Sequence, residues 1–287
     1  MAVSPVHFVQ NGVYANPQSD GTSITVSAEI EDLSESGSGA SSAGAGAGQL
    51  VTFSLADEAG VVVAVNSTTI THEGSVVLTP ANNSTLDTWS PHTPVTYTVT
   101  VSMATDEVCV PTAVRLLEWG DRAHINGNPI MLKGFSHHNS FGGVGVVQPA
   151  RLELFHVQSA RAMGANFMRN AHNGFRDDLY TILTELGMMA WDESRVFAVE
   201  HAASFHDMVK QHRGHASVSI WSYCNEISCS MTDVERAGPV YRAIAKGLDP
   251  DRATSGNMIL AKGACTSPLL KFVDVVGTSY GPVENPP

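Results

Sequence analysis

The sequence predicts an α/β fold, an incomplete (β/α)8 TIM barrel, that follows an immunoglobulin-like β-sandwich. Within the 287 residues, positions 1–113 hold short runs of period-two alternation without a helical stretch between them. From residue 114 onward, short apolar strands alternate with helical stretches, which is the pattern of a parallel sheet. We count about six such units, whereas a closed barrel needs eight. We therefore expect a β-sandwich in 1–113 and part of a barrel in 114–287.

The first region is predicted to be a β-sandwich because turn-forming clusters separate its runs of alternating apolar and polar residues. The predicted strands include Ser23–Ile30, Val51–Leu55, Gly60–Val65, Ser75–Leu78 and Val95–Val101. Residues 34–48 consist almost entirely of Ser, Gly and Ala, which bury little apolar area. We expect that segment to be a flexible insertion between two strands.

The second region carries recognisable helix starts and stops. Pro149 and Gly164 bound one predicted helix, and Asp177 opens another where acidic residues favour the helix dipole. Further helices are predicted over Ala198–His212 and from near Pro239. The predicted strands are Ile130–Gly134, Asn166–Arg169, Met188–Trp191, Val218–Tyr223, Ala253–Met258 and Val273–Ser279. A doubly wound sheet is the competing fold, but no Gly-x-Gly-x-x-Gly turn follows the first strand.

Composition excludes several classes of partner. The net charge is −12 with no basic run, so nucleic acid and anionic membranes are poor partners. No apolar stretch approaches the roughly 20 residues of a bilayer helix, and we see no secretory signal. The cellular location and any homo-oligomer stay open. Four scattered cysteines indicate reduced, packed thiols rather than a disulfide framework or a zinc motif.

Polar and aromatic residues follow five of the six predicted parallel strands. The functional groups of α/β barrels lie at these carboxyl ends of the strands. Together they predict a polar, aromatic bowl suited to a ligand rich in hydroxyl groups. The residues are His137, His138, Asn139, Arg169, His172, Asn173, Trp191, Asp192, Glu193, Asn225, Glu226 and Tyr280.

Several of these residues, and Cys224 beside them, also have a structural or alternative interpretation. His137 and His138 could bind a metal, although no His-Glu-x-x-His helix accompanies them. Arg169 and Asp192 could form a structural ion pair, and Trp191 could belong to the core. Cys224 could be a nucleophile, but no strand-to-helix elbow or base partner supports that role.

Four motifs in order resemble glycoside hydrolase family 2, the group of β-galactosidases, β-glucuronidases and β-mannosidases. Their spans are 126–138 (NGNPIMLKGFSHH), 164–172 (GANFMRNAH), 187–193 (GMMAWDE) and 215–226 (HASVSIWSYCNE). The Trp89-Ser90-Pro91 segment and residues 94–99 are similar to the end of the family's immunoglobulin-like domain. The resemblance covers about residues 88–280.

The resemblance implies a retaining β-glycosidase in which Glu226 is the general acid/base. Asn225, His137, His172, Trp191 and Asp192 are then expected to bind the sugar. Arg169 and Tyr280 match positions that orient the nucleophile. The leading expectation is a β-galactosidase-like enzyme acting on a β-linked glycoside or oligosaccharide. A β-glucuronidase or β-mannosidase specificity and a non-catalytic carbohydrate-binding protein are the alternatives.

The sequence also departs from the family pattern. The family's nucleophile lies at the tip of a seventh strand that we do not find here, and Glu284 in the Pro-rich tail is not assigned that role. We therefore expect a fragment with little or no activity alone. Residues 194–197 replace the Glu-x-His magnesium ligands of some relatives, so no cofactor is expected, with magnesium left open as the alternative.

Overall fold

The computed structural model describes residues 4–33, 48–226, 229, 233–259 and 267–280. Contacts divide the chain into two units, Met1–Leu116 with Gly214–Ala216 and Leu117–Arg213 with Ser217–Pro287. The predicted insertion at 34–48 lies outside the described residues apart from Gly48, as does Glu284.

The first unit contains two four-stranded antiparallel sheets. In one sheet β3 pairs with β1, β2 and β6, and the other has the order β5-β4-β7-β8. Alternate residues of β3, from Ile24 to Ile30, are buried in a core that both sheets share, as period-two alternation predicts. The immunoglobulin-like topology stays a prediction. The strands are β1 (Val6–Phe8), β2 (Tyr14–Pro17), β3 (Ile24–Asp32), β4 (Gln49–Ala56), β5 (Val62–Ile70), β6 (Glu73–Leu78), β7 (Tyr97–Met103) and β8 (Asp106–Thr112).

The second unit is built on six parallel strands that pair in chain order. A small antiparallel sheet of β9 (Leu117–Glu118), β10 (Ala123–Ile125) and β11 (Asn128–Ile130) precedes them. Ile130 belongs to that small sheet, so the predicted strand Ile130–Gly134 is wrong and the first parallel strand begins at Gly134. The parallel strands are β12 (Gly134–His137), β13 (Phe167–Asn170), β14 (Met189–Glu193), β15 (Val218–Asn225), β16 (Ala253–Ile259) and β17 (Val275–Ser279).

Among the described residues, four α-helices connect successive strands from β12 to β16, close to the predicted positions. They are α1 (Ala150–Ala162), α2 (Asp177–Glu185), α3 (Ala202–His212) and α4 (Val234–Leu248). Helix α4 begins before Pro239, which lies inside it; the proline costs one intrahelical hydrogen bond but does not end the helix. None of the helices in the described ranges has the length and apolarity that a bilayer span requires.

Strand register assigns residues of the parallel sheet to one of two faces. His137, Asn170, Asp192 and Trp221 lie side by side on successive strands, and neighbours in a parallel register point to the same face. Trp221 packs in the helix-lined core with Phe205. We call this side the helix face. Ser136, Arg169 and Trp191 form the adjacent register row on the opposite side, which we call the cup face.

The cysteine prediction is corrected at one pair. Cys224 and Cys229 form a disulfide with their Cα atoms 5.3 Å apart. Their sequence separation is five residues. Cys109 is an exposed free thiol, and Cys265 lies outside the described residues.

Candidate active site

A buried carboxylate, Glu193, organises the cup face. Arg169 Nε and Nη2 donate hydrogen bonds to its Oε2 at 3.0 and 2.8 Å, and Trp191 Nε1 donates to the same oxygen at 3.2 Å. His172 Nδ1 lies 2.8 Å from Oε1. The Glu193 side chain is fully buried, so these donors offset the loss of water around its charge. Glu193 therefore fixes three side chains that the sequence predicted for the site.

A second chain of hydrogen bonds extends from Arg169 toward the last strand. Arg169 Nη2 donates to Asn225 Oδ1, which also accepts from Asn257 Nδ2 at 2.8 Å. Asn257 Nδ2 also donates to Ser279 Oγ at 2.7 Å. These groups stand on β13, β15, β16 and β17, so one polar network joins the carboxyl ends of four strands. The Asn225 amide is therefore oriented from both sides, by Arg169 and by Asn257.

Glu226 stands at the rim of this network. The hydroxyl of Tyr280 donates a hydrogen bond to Glu226 Oε1 at 2.7 Å, and that hydrogen bond together with the carboxylate charge raises the pKa of Tyr280. Both residues have left-handed backbones, with φ of 52° and 60°. Such conformations cost about 1 kcal/mol or more outside glycine and persist at functional sites. The strand tips therefore hold two strained residues whose side chains meet.

We call the side chains on the cup face and at the adjoining strand tips the cup, and Trp191 and His172 belong to it. Trp191 is largely buried, and its ring approaches Gly277 so closely that a Cβ there would lie 2.4 Å from Trp191 Cη2. Trp191 therefore supports the inside of the cup rather than offering an open stacking surface. The His172 ring is one-third exposed and meets the edge of the His138 ring, with centroids 5.0 Å apart.

The structure does not bring Asp192 to the cup, which corrects its predicted place in the bowl. Its side chain is fully buried on the helix face, where it accepts a hydrogen bond from the Tyr180 hydroxyl at 2.5 Å and lies 2.7 Å from His212 Nδ1. The cause is strand alternation, since Trp191 and Glu193 take the opposite side. The alternative of an Arg169–Asp192 ion pair is wrong for the same reason, because Arg169 pairs with Glu193.

His137 is the second predicted ligand residue that lies elsewhere. It shares its register row with Asn170 and is buried on the helix face, where its Nε2 is 3.3 Å from Glu153 Oε2 on α1. The prediction that His137 binds the sugar is corrected accordingly. Its neighbour His138 is the histidine that reaches the cup.

Sequence reasoning therefore left two cup residues without a role, Glu193 and His138. Alternation could have identified both, since residues two apart on a strand share a face. Glu193 follows Trp191 by two positions, and His138 follows Ser136, the register partner of Arg169. The hydrogen-bonding of Asn257 and Ser279 has no comparable signal in the sequence.

The cup can therefore present a carboxyl group, an amide and an imidazole to a ligand at one end of a parallel sheet. No family model matches the chain. The β-galactosidase BoGH2A of Bacteroides ovatus is 25% identical over 168 residues, 51% of this chain and 20% of that protein. The β-glucuronidase of Canis lupus familiaris is 25% identical over 190 residues, 60% of this chain and 28% of that protein.

A solved structure extends the likeness over nearly the whole chain. The crystal structure of a glycosyl hydrolase family 2 member from Bacteroides cellulosilyticus matches 97% of this chain and 40% of its own, with a TM-score of 0.83 and 22% identity. At this identity the likeness shows a shared fold. The chain is similar to glycoside hydrolase family 2 proteins, with β-glucuronidases and β-galactosidases among the proteins it matches. It spans about a quarter of the length of the curated relatives it matches.

Proposed function

We propose that the cup is the acid/base side of the active site of a retaining β-glycosidase on an incomplete (β/α)8 barrel. The observation that carries the proposal is the placement of Glu226 and Asn225 at the tip of β15, beside Tyr280 and the Arg169–Glu193 pair. A carboxyl group and an oriented amide at neighbouring positions supply a proton and a hydroxyl contact to one sugar.

In the proposed reaction, the protonated carboxyl of Glu226 gives its proton to the glycosidic oxygen as the bond from that oxygen to the anomeric carbon breaks. A second carboxylate attacks the anomeric carbon and forms a glycosyl ester. Glu226, now ionised, takes a proton from water as that water displaces the ester. The resemblance assigns the attacking carboxylate to a strand that follows β17 in the family order.

The chain's own residues support the acid/base role in distinct ways. Tyr280 holds one oxygen of Glu226 and so orients the carboxyl. Asn225, fixed between Arg169 and Asn257, is placed to contact the sugar 2-hydroxyl, where hydrogen bonds strengthen in the transition state. His172 is the part of the Glu193 network that stays accessible to a ligand.

The choice of sugar is part of the proposal. We propose a terminal β-galactoside or β-glucuronide, because relatives named for both activities match the chain to a similar extent. A glucuronide carboxylate needs a cationic partner, and Arg169 is already engaged by Glu193 and Asn225. That engagement favours the galactoside.

The test is hydrolysis of nitrophenyl and alkyl β-galactosides and β-glucuronides by the wild type, Glu226→Gln and Glu185→Gln. Glu185 is an exposed carboxylate at the end of α2 and serves as the matched control. Loss of the acid should lower turnover about 10²–10⁴-fold, most for the alkyl glycosides, whose poor leaving groups need the proton.

If the chain shows no turnover, calorimetric titration with galactose and glucuronic acid tests whether the cup binds a sugar. Sugar binding that Glu226→Gln weakens and Glu185→Gln leaves unchanged would support the placement of Glu226. Equal turnover in the wild type and Glu226→Gln, or neither turnover nor sugar binding, would contradict the proposal.

A further inference from the structure

A cluster of potential metal ligands lies on the helix face, apart from the cup. His137 from β12 meets Glu153 and His156, which stand three residues apart on α1 and so share one side of that helix. One ligand atom from each residue lies within 4.8 Å of the other two. The proposed hydrolysis does not use this group, and the His137 ring packs edge-on against Phe175 of the core.

The distances within the cluster are too long for good hydrogen bonds. His137 Nε2 lies 3.3 Å from Glu153 Oε2, beyond the usual 2.7–3.2 Å range for N–H···O. His156 Nδ1 lies 3.7 Å from the same oxygen, and this buried nitrogen has no hydrogen-bond partner among the described residues. Two imidazoles thus converge on one carboxylate oxygen, His137 at the distance of a long hydrogen bond and His156 beyond it.

The same distances fit the edges of a coordination tetrahedron. Zinc binds imidazole nitrogen and carboxylate oxygen at about 2.0–2.2 Å, which places neighbouring ligand atoms about 3.4 Å apart. Both measured separations lie near that value. Three protein ligands leave a fourth position for water, and the 19% exposure of the His156 side chain gives a path to solvent.

We propose that His137, Glu153 and His156 bind one divalent transition-metal ion, with zinc as the best match to two nitrogens and one oxygen. The ion joins the end of β12 to α1 and fixes the backbone at His137. Because His138 follows directly and packs against His172 in the cup, the metal also stabilises one wall of the cup. It takes no part in bond breaking, since its ligands lie on the opposite face of the sheet.

The test is calorimetric titration of the metal-stripped chain with zinc chloride. The wild type should bind one equivalent, and both Glu153→Gln and His156→Ala should weaken binding at least about tenfold. His206→Ala is the matched control, because His206 is a half-exposed histidine on α3, and it should bind like the wild type. Absence of zinc binding, or binding that Glu153→Gln and His156→Ala leave unchanged, would overturn the proposal.

A spectroscopic measurement on the wild type keeps the test decisive if a variant fails to fold. Cobalt(II) substituted for zinc should give the visible absorption of a tetrahedral site, and X-ray absorption of the zinc form should show two imidazoles and one carboxylate. An octahedral spectrum, or a shell without two imidazoles, would overturn the assignment.

Discussion

Two histidine–carboxylate pairs flank β14 on opposite faces of the sheet. On the helix face, His212 Nδ1 lies 2.7 Å from Asp192, and on the cup face, His172 Nδ1 lies 2.8 Å from Glu193. The distances are nearly equal, but the His212 side chain is 2% exposed and the His172 side chain 33%. The same chemical pair is therefore sealed in the core on one face and open to a ligand on the other.

The surroundings of the two carboxylates explain the difference. Asp192 has Tyr180 as its second partner, and the rings of Tyr180 and His212 pack 4.1 Å apart in the interior. Glu193 instead collects Arg169 and Trp191, whose network continues to the strand tips. The residue types in the two pairs are therefore not what makes one structural and the other accessible to a ligand. The face of the sheet on which each pair lies and the side chains that surround it make that difference.

The largest predicted effect concerns the sealed pair. Asp192→Ala removes the buried carboxylate that the Tyr180 hydroxyl and His212 Nδ1 both contact, so it should lower the free energy of unfolding by about 3–5 kcal/mol. Chemical denaturation measures this loss. Asp207→Ala is the control, since Asp207 is 82% exposed beside His206 and should cost less than about 1 kcal/mol. Equal losses of unfolding free energy in Asp192→Ala and Asp207→Ala would contradict the structural role assigned to the buried pair.

The next effect concerns the disulfide that joins Cys224, buried in the helix-face core, to Cys229. Removing a loop constraint of this length should cost about 2 kcal/mol of stability. Because Glu226 lies between the two cysteines, Cys224→Ser should also lower any turnover that Glu226 supports. Denaturation with and without reductant measures the first effect.

Cys109→Ser is the control for the disulfide, because Cys109 is an exposed free thiol. It should leave stability unchanged and respond to reductant as the wild type does. A wild type whose unfolding is insensitive to reductant would contradict the stabilising role of the disulfide.

A smaller effect on stability is expected at Asp274, whose carboxylate lies at the opposite end of the strands from Glu226. Asp274 precedes β17; burial opposes its ionisation, but hydrogen bonds from Lys246, the Thr254 backbone and Arg242 lower its pKa to about 2. Because the folded pKa is lowered from 3.8, its stabilisation is present above pH 3.8 and is lost as the pH falls toward about 2.

Asp274→Asn should therefore destabilise the protein by about 1 kcal/mol at neutral pH, a modest amount because the carboxyl is partly exposed. The difference from the wild type should shrink as the pH falls below 3.8. Urea unfolding at neutral pH and between pH 2 and 3.8 checks this. A difference that stays constant or grows on acidification would contradict the ion-pair account.

Much of this arrangement was predictable from the sequence. Period-two and helical patterns located the parallel strands from β13 onward and the helices, and the strand-tip rule brought Arg169, His172, Asn225 and Tyr280 to one region. The prediction failed where it had to decide which of two adjacent residues on a strand faces the cup. At His137 and Asp192 the residue type suited a sugar site, but the strand register turned each toward the helices.

The remaining gaps depend on contacts between distant segments. The hydrogen bond from Asn257 to Ser279 and the approach of Trp191 to Gly277 depend on how the strands pair after folding. Local patterns in the sequence carry no information about such pairings. Alternation does, however, assign Glu193 and His138 to the cup, because each lies two positions beyond a residue of the cup face.

The most direct test of the two-face account compares His172→Gln with His212→Gln in both unfolding and sugar-binding measurements. The account predicts that His212→Gln costs about 3 kcal/mol or more of stability while the folded variant binds galactose or glucuronic acid as the wild type does. His172→Gln should cost less than about 1 kcal/mol and weaken sugar binding about tenfold or more. The reverse pattern, with binding lost in His212→Gln and kept in His172→Gln, would contradict the account.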